Sequence, residues 1–177
     1  MSNEGLLRLR RIIGAPAHDG PLADDELMRL IRHISDAGFD PVPQASAGGR
    51  LAGVVWNERV LRDRDRLTSA EVPYLRHVID GQEWPSGVSL VQYLQSAREV
   101  VLDPRSAVLL SRYLGLRQIT VVRTSDDLRG PRGNGWVRVE FRIDVGRWVT
   151  VFQSDDEPLS IEQSPNRSEQ QWLRRPQ

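Results

Sequence analysis

The stretch Trp136-Val-Arg-Val-Glu-Phe-Arg-Ile-Asp144 keeps a strict period of two: Val137, Val139, Phe141 and Ile143 fall on one parity, Trp136, Arg138, Glu140, Arg142 and Asp144 on the other. No helix tolerates that pattern; it specifies a strand with one face on a core. The tight Val145-Gly146 connection to Arg147–Gln153 predicts a hairpin, and the β-branched run from Gln118 to Thr124 predicts another strand upstream. Connections this short require antiparallel pairing. Between these strands, Ser125 to Gly135 is rich in Gly and carries Arg129 and Arg132, and is expected as an exposed, mobile loop.

Upstream the period is helical. Leu27, Leu30, Ile31 and Ile34, with Asp24, Asp25 and Glu26 in the first turn and Gly38 and Pro41 as stops, predict an amphipathic helix over 22–37. Pro41 to Arg50 reads as a loop, and a short strand is expected at Gly53–Leu61. Thr68-Ser-Ala-Glu71 has the form of a capping box for a helix carrying Tyr74, Leu75, His77 and Val78 and ended by Gly81, with Pro73 in its first turn. Another helix starts near Ser86–Ser89, presents Leu90, Tyr93, Leu94, Ala97 and Val101 on one face, and is closed by Asp103-Pro104. Val108, Leu109 and Tyr113 suggest a shorter helical piece over 105–114.

Helices first and a meander afterwards give an α+β fold: N-terminal helices followed by an antiparallel β-meander of at least three strands. The organisation expected is an N-terminal helical region and loop (1–65), the helices plus antiparallel sheet (66–155), and a polar C-terminal tail (156–177) on which Trp172 and Leu173 are the residues able to dock.

Composition removes whole classes of chemistry. With no Cys, the chain has no disulfide, no thiol nucleophile and no Cys-ligated zinc or iron–sulfur cluster. All 24 basic residues are Arg, so a Schiff-base lysine and the lysine of a phosphate loop are absent too. Net charge is zero, but 105–150 holds nine Arg against Asp126, Asp127, Glu140 and Asp144, a local excess of five positives. That permits nucleic-acid binding without demanding it. No apolar run approaches the roughly 20 residues of a membrane helix, and Met1–Arg11 alternates Leu with Arg rather than forming a signal peptide. The expectation is a soluble, cytoplasmic protein with no membrane contact and no cofactor.

Few residues qualify as chemistry. His18, His33 and His77 show no metal-ligand spacing. His18 and His33 read as surface residues; His77, near the end of its helix and just before Asp80-Gly-Gln-Glu83, is either a general acid–base candidate or a histidine favoured by the helix dipole. Arg138, Glu140 and Arg142 share one face of their strand at about 7 Å intervals. Guanidiniums so placed can grip a phosphodiester, although a solvated face with cross-strand ion pairs gives the same pattern. Trp136 and Trp148 are either core or stacking platforms for bases. Gly130-Pro-Arg-Gly-Asn-Gly135 lacks the spacing and lysine of a phosphate loop and reads as a turn.

The string Tyr74-Leu-Arg-His77, then Gly81, then Ser89-x-x-x-Tyr93-Leu-x-x-Ala97, followed by antiparallel strands ending Trp148-Val-Thr150-Val-Phe-Gln153, resembles the barnase/EndoU/colicin/RelE-like superfamily of small, metal-independent bacterial toxin ribonucleases. The resemblance covers residues 74–153. It implies RNA as the substrate, with His77, Arg123 and Thr150 at the positions of the family's helix histidine, strand cation and terminal hydroxyl, and Tyr93 at that of its helix tyrosine. Where members often carry a second histidine, this chain has Asp80-Gly-Gln-Glu83.

Cleavage of RNA by its own 2′-hydroxyl needs a base, an acid and fixed positive charge. His77 and Glu140 are the candidate acid–base pair, Arg123 and Thr150 the candidate stabilisers. Arg138, Arg142, Arg129, Arg132, Tyr93 and Trp148 are the candidate substrate contacts. The competing expectation, motivated by the balanced charge, is a non-catalytic member of the fold that binds nucleic acid or a protein. A cognate inhibitor or other protein partner is compatible with either.

Overall fold

Two helices lead, α1 (Glu4–Ile12) and α2 (Asp24–Ala37); α3 is a single turn of α-helix, Glu71–Tyr74, that runs directly into a π-helix, Leu75–Asp80; α4 (Leu90–Leu102) follows. Then come β1 (Ala107–Tyr113), β2 (Leu116–Thr124), β3 (Trp136–Arg142), β4 (Arg147–Ser154), a 3₁₀-helix (Pro158–Gln163) and β5 (Arg167–Arg174). This computed structural model describes residues 4–41 and 67–177, so the strand expected at Gly53–Leu61 lies outside the described residues. No helix among them is long and apolar enough to cross a membrane.

The strands form one antiparallel sheet in the order β4-β3-β2-β1-β5. The fold is α+β, as the switch from helical to alternating period dictates. Val137, Val139 and Phe141 pack with Ile119, Val121 and Val151 against Leu30, Ile31 and Ile34 of α2 and Tyr93, Ala97, Val100 and Val101 of α4, so the helices cover one face of the sheet. Leu6 and Leu9 of α1 join the same core. Local capping matches the sequence: Thr68 N donates to Glu71 Oε2 at 2.7 Å, and Ser89 Oγ accepts from Gln92 N at 3.2 Å. The α1–α2 corner is held by Arg10, which is fully buried and donates to the carbonyls of His18, Gly20 and Pro21 and to Glu26 at 2.7–3.3 Å. The Ala23 N–H and then Arg10 hold the Glu26 carboxyl below its usual range.

Three expectations are overturned. The 105–114 segment is strand β1, not helix. Val108 and Leu110 join the main core while Ala107 and Leu109 join a second cluster with Val122 and Ile161 on the opposite face. A strand buried on both sides reads as an unbroken apolar run, in which period carries no information. The tail is not merely polar: Arg167–Arg174 returns as β5 and pairs with β1, and Trp172 packs on the second cluster. The 125–135 loop is exposed at Asp126, Asp127, Arg129, Pro131 and Arg132, as expected, but it is anchored by hydrogen bonds. Gly130 N donates to Glu83 O at 2.7 Å, Arg132 N to Gln82 O at 3.0 Å, and Asn134 N to Gln153 Oε1 at 3.0 Å.

The close approach of this loop to the backbone of residues 82–84 dictates its glycines. A Cβ on Gly130 would lie 2.0 Å from the Trp84 carbonyl oxygen, and on Gly133 2.5 Å from that of Glu83. Backbone cannot move aside as a side chain can, so the chain approaches this closely only where Cβ is missing. We expect Gly130→Ala to cost about 1–3 kcal/mol, read as a Tm drop of about 2–4 °C per kcal/mol. Gly135→Ala, whose methyl would meet only the end of the Arg129 side chain at 3.4 Å, should stay within about 0.5 kcal/mol of the parent. Equal melting temperatures for the two variants would contradict the packing described.

Candidate functional site

On the face away from the helices, the antiparallel register puts Thr120, Glu140 and Thr150 side by side across β2, β3 and β4. Glu140 is only 4% exposed. Its Oε2 accepts from Gln118 Nε2 at 2.5 Å and from Thr120 Oγ1 at 2.6 Å; its Oε1 accepts from Arg167 Nη2 at 3.1 Å. Arg167 also donates to Ser111 Oγ at 2.8 Å and lies 5.2 Å from the centre of the Tyr113 ring. A buried carboxylate is tolerable only with such complete pairing, and donors from β2 and β5 provide it.

Above this floor is a cavity of about 410 Å³. Arg138, Arg142, Thr150 and Phe152 line it from β3 and β4, Tyr113 and Arg167 from β1 and β5, and Ser160, Ile161, Gln163 and Ser164 from the segment leading into β5. Arg138 donates to Asp156 Oδ2 at 2.9 Å, and its guanidinium lies 5.6 Å from the centre of the Phe152 ring. The Nε atoms of Arg138 and Arg142 are buried and find no hydrogen-bond partner among the described residues. Three guanidiniums thus line the cavity against the carboxylates of Glu140 and Asp156. The arrangement can receive an anion, and a neighbouring carboxylate oxygen is available to accept a proton.

The structure therefore brings four of the sequence-derived residues into one cavity, Glu140, Arg138, Arg142 and Thr150. His77 is next to it, not in it. The imidazole stacks on Phe152 with ring centres 5.7 Å apart, and its Nδ1 is 2.7 Å from Glu83 Oε1. The others are elsewhere. Arg123 pairs with Asp103 at 3.0 Å and Asp127 at 2.9 Å, tying the end of β2 to the α4–β1 corner. There Arg105, and then Arg123, hold the Asp103 carboxyl well below the usual range. Tyr93 is fully buried under the sheet and donates to Val151 O at 2.6 Å; burial, with Glu83 nearby, pushes its hydroxyl pKa well above 10. Trp148 is core: its Nε1 donates to Ile34 O at 2.8 Å and Phe39 packs edge-on against it. Arg129 donates to Asn134 O within its own loop, and Arg132 is exposed there.

Sequence reasoning missed Gln118, Thr120, Arg167, Phe152 and Glu83. Gln118 and Thr120 share the parity of Glu140 once β2 is in register, a signal present in the alternation but usable only with the pairing known. Arg167 carried no signal, because the tail gave no strand pattern.

Removing one partner of the buried pair leaves the other charge stranded. Arg167→Met should destabilise the protein by about 3–5 kcal/mol in urea unfolding, and adding Glu140→Gln to it should restore at least half of the loss. A single variant within about 1 kcal/mol of the parent would show that the pair is solvated. Among the described residues no group of three or more His, Asp or Glu is arranged to hold a metal ion. No protein-family model, no curated protein and no solved structure matches the chain.

Proposed function

We propose that the protein is a metal-independent endoribonuclease of the barnase/EndoU/colicin/RelE-like kind, with the cavity over Glu140 as its phosphodiester site. The observation that carries this reading is the meeting of Glu140, Arg138, Arg142 and Thr150 in one cavity, with Glu140 and Arg138 buried in its floor. Among the described residues Glu140 Oε1 accepts one hydrogen bond, from Arg167, and a carboxylate oxygen has two acceptor positions. The remaining one takes the proton of the 2′-hydroxyl. The 2′-oxygen then attacks phosphorus, the bond to the 5′-oxygen breaks, and the leaving oxygen takes a proton from the second group, His77. Charge gathers on the non-bridging oxygens as this happens. The guanidinium groups of Arg138, Arg142 and Arg167 and the Thr150 hydroxyl line the same cavity and would meet that charge.

A second reading has its own support. His77 is tied to Glu83 and absent from the cavity lining, which suits a module that binds phosphate-bearing polymers without cleaving them.

The test is RNA turnover with EDTA present. The ribonuclease reading expects fragments ending in 2′,3′-cyclic phosphate and a loss of about 10²–10⁴-fold in Glu140→Gln, with the variant's fold verified by circular dichroism. Absence of such ends in the parent's products, or undiminished cleavage by the variant, would contradict it. Salt-sensitive RNA binding without turnover would favour the binding module.

A further inference from the structure

We propose that Glu83 is a positioning residue for His77: its carboxylate fixes the imidazole with Nδ1 protonated and Nε2 free, and so makes the pair the second proton-transfer unit beside the cavity. This rests on the ribonuclease reading for its catalytic half, while the positioning half stands on geometry alone.

An ionised carboxylate only accepts hydrogen bonds. The 2.7 Å contact between Glu83 Oε1 and His77 Nδ1 therefore makes Nδ1 the donor and leaves Nε2 as the nitrogen that exchanges protons. The hydrogen bond found at this ring among the described residues is the one at Nδ1. The second carboxylate oxygen is also committed, since Oε2 accepts from Gln153 N at 2.7 Å. Glu83 thus bridges the imidazole to the backbone of β4, at the residue after Phe152, on whose ring the imidazole lies.

Several costly local features converge on this bridge. The helix bearing His77 is a π-helix, with Gly81 N donating to Arg76 O at 2.9 Å, and such turns occur disproportionately at functional sites. Gln82 has φ +51°, left-handed territory for a residue with a side chain; it turns the chain so that Glu83 N donates back to His77 O at 2.9 Å. Gly130 and Gly133 then hold the 82–84 backbone at distances that only glycine permits. Strain retained at several neighbouring positions is characteristic of sites where geometry, more than stability, is being held. A mere packing histidine needs none of it.

In the reaction, His77 enters as imidazolium and its Nε2 proton passes to the leaving 5′-oxygen as the P–O5′ bond breaks, balancing the 2′-hydroxyl proton taken by Glu140. The neutral ring that remains carries its proton on Nδ1, facing Glu83. The leaving nucleoside accordingly lies at the Phe152 end of the cavity.

The experiment uses the full chain labelled with ¹⁵N in histidine, at a pH where the ring is neutral, together with RNA turnover. The parent should show His77 with Nδ1 protonated and Nε2 bare. In Glu83→Gln the single carbonyl oxygen stays with Gln153 N, the amide NH₂ faces Nδ1, and the tautomer should invert. Without a carboxylate to accept from Nδ1–H, the doubly protonated ring that donates from Nε2 loses its partner, which should lower kcat by about 10²-fold or more with KM within about twofold, and His77→Ala combined with Glu83→Gln should be no worse than His77→Ala alone. A protonated Nε2 in the parent, or kcat of Glu83→Gln within about twofold of the parent's, would overturn the assignment. A parent that turns over no RNA would overturn the ribonuclease reading and the catalytic half with it, whereas the spectra judge the positioning half by themselves.

Discussion

One carboxylate sets the terms for the open face of the sheet. Glu140 is withdrawn almost entirely from water at the middle of β3, and its three hydrogen bonds come from β2 and β5. Desolvating a charge costs several kcal/mol even after relaxation (about that much per ion), so neither the strand register nor the return of β5 to β1 can slip without leaving it unpaired. Apolar residues of similar volume commonly do as well or better for stability alone. That this charge is kept in such a place, beside the guanidiniums of Arg138 and Arg142, is the feature on which the proposed anion site rests.

The two faces of the sheet divide the labour. The helix side is a dry core in which Trp148, Phe141 and Tyr93 are locked by packing and by hydrogen bonds to α2 and β4. The other side is only partly covered. Ile161 and Trp172 pack with Ala107 and Leu109, and the cavity over Glu140 lies beside them. Phe152, on edge strand β4, is the point of contact between that cavity and the His77–Glu83 pair, so the floor and the flank are joined through one ring. The β2–β3 loop belongs to this assembly too. Its hydrogen bonds to Gln82 and Glu83 make it a brace.

Legibility followed the physics of each signal. β3 was readable because one of its faces is apolar and the other charged, and α2 because Leu30, Ile31 and Ile34 form a single stripe opposite charged residues. β1 was not, because both its faces are buried and an unbroken run of Ala107, Val108, Leu109 and Leu110 suits a helix equally well. β5 was not, because Arg167–Arg174 carries Glu, Gln and Arg where a strand signature expects β-branched residues. The strand face bearing Arg138, Glu140 and Arg142 was visible as a candidate, yet a sequence cannot say whether such a face is wet or enclosed. That depends on the 3₁₀ segment and β5, far along the chain. The placements of Arg123 and Trp148 turned on partners, Asp103 and Ile34, that no local pattern announces.

The most direct measurement is a titration of the protein with a dinucleotide whose 2′-oxygen is absent, so that it binds uncleaved, followed by NMR of the backbone amides and the arginine side chains. If the cavity is a phosphodiester site, the side-chain N–H resonances of Arg138 and Arg142 shift together with the amides of Thr150 and Phe152, and the helical side stays still. Saturation with the side-chain signals of both arginines unmoved, or with the changes confined to α1 and α2, would contradict the account.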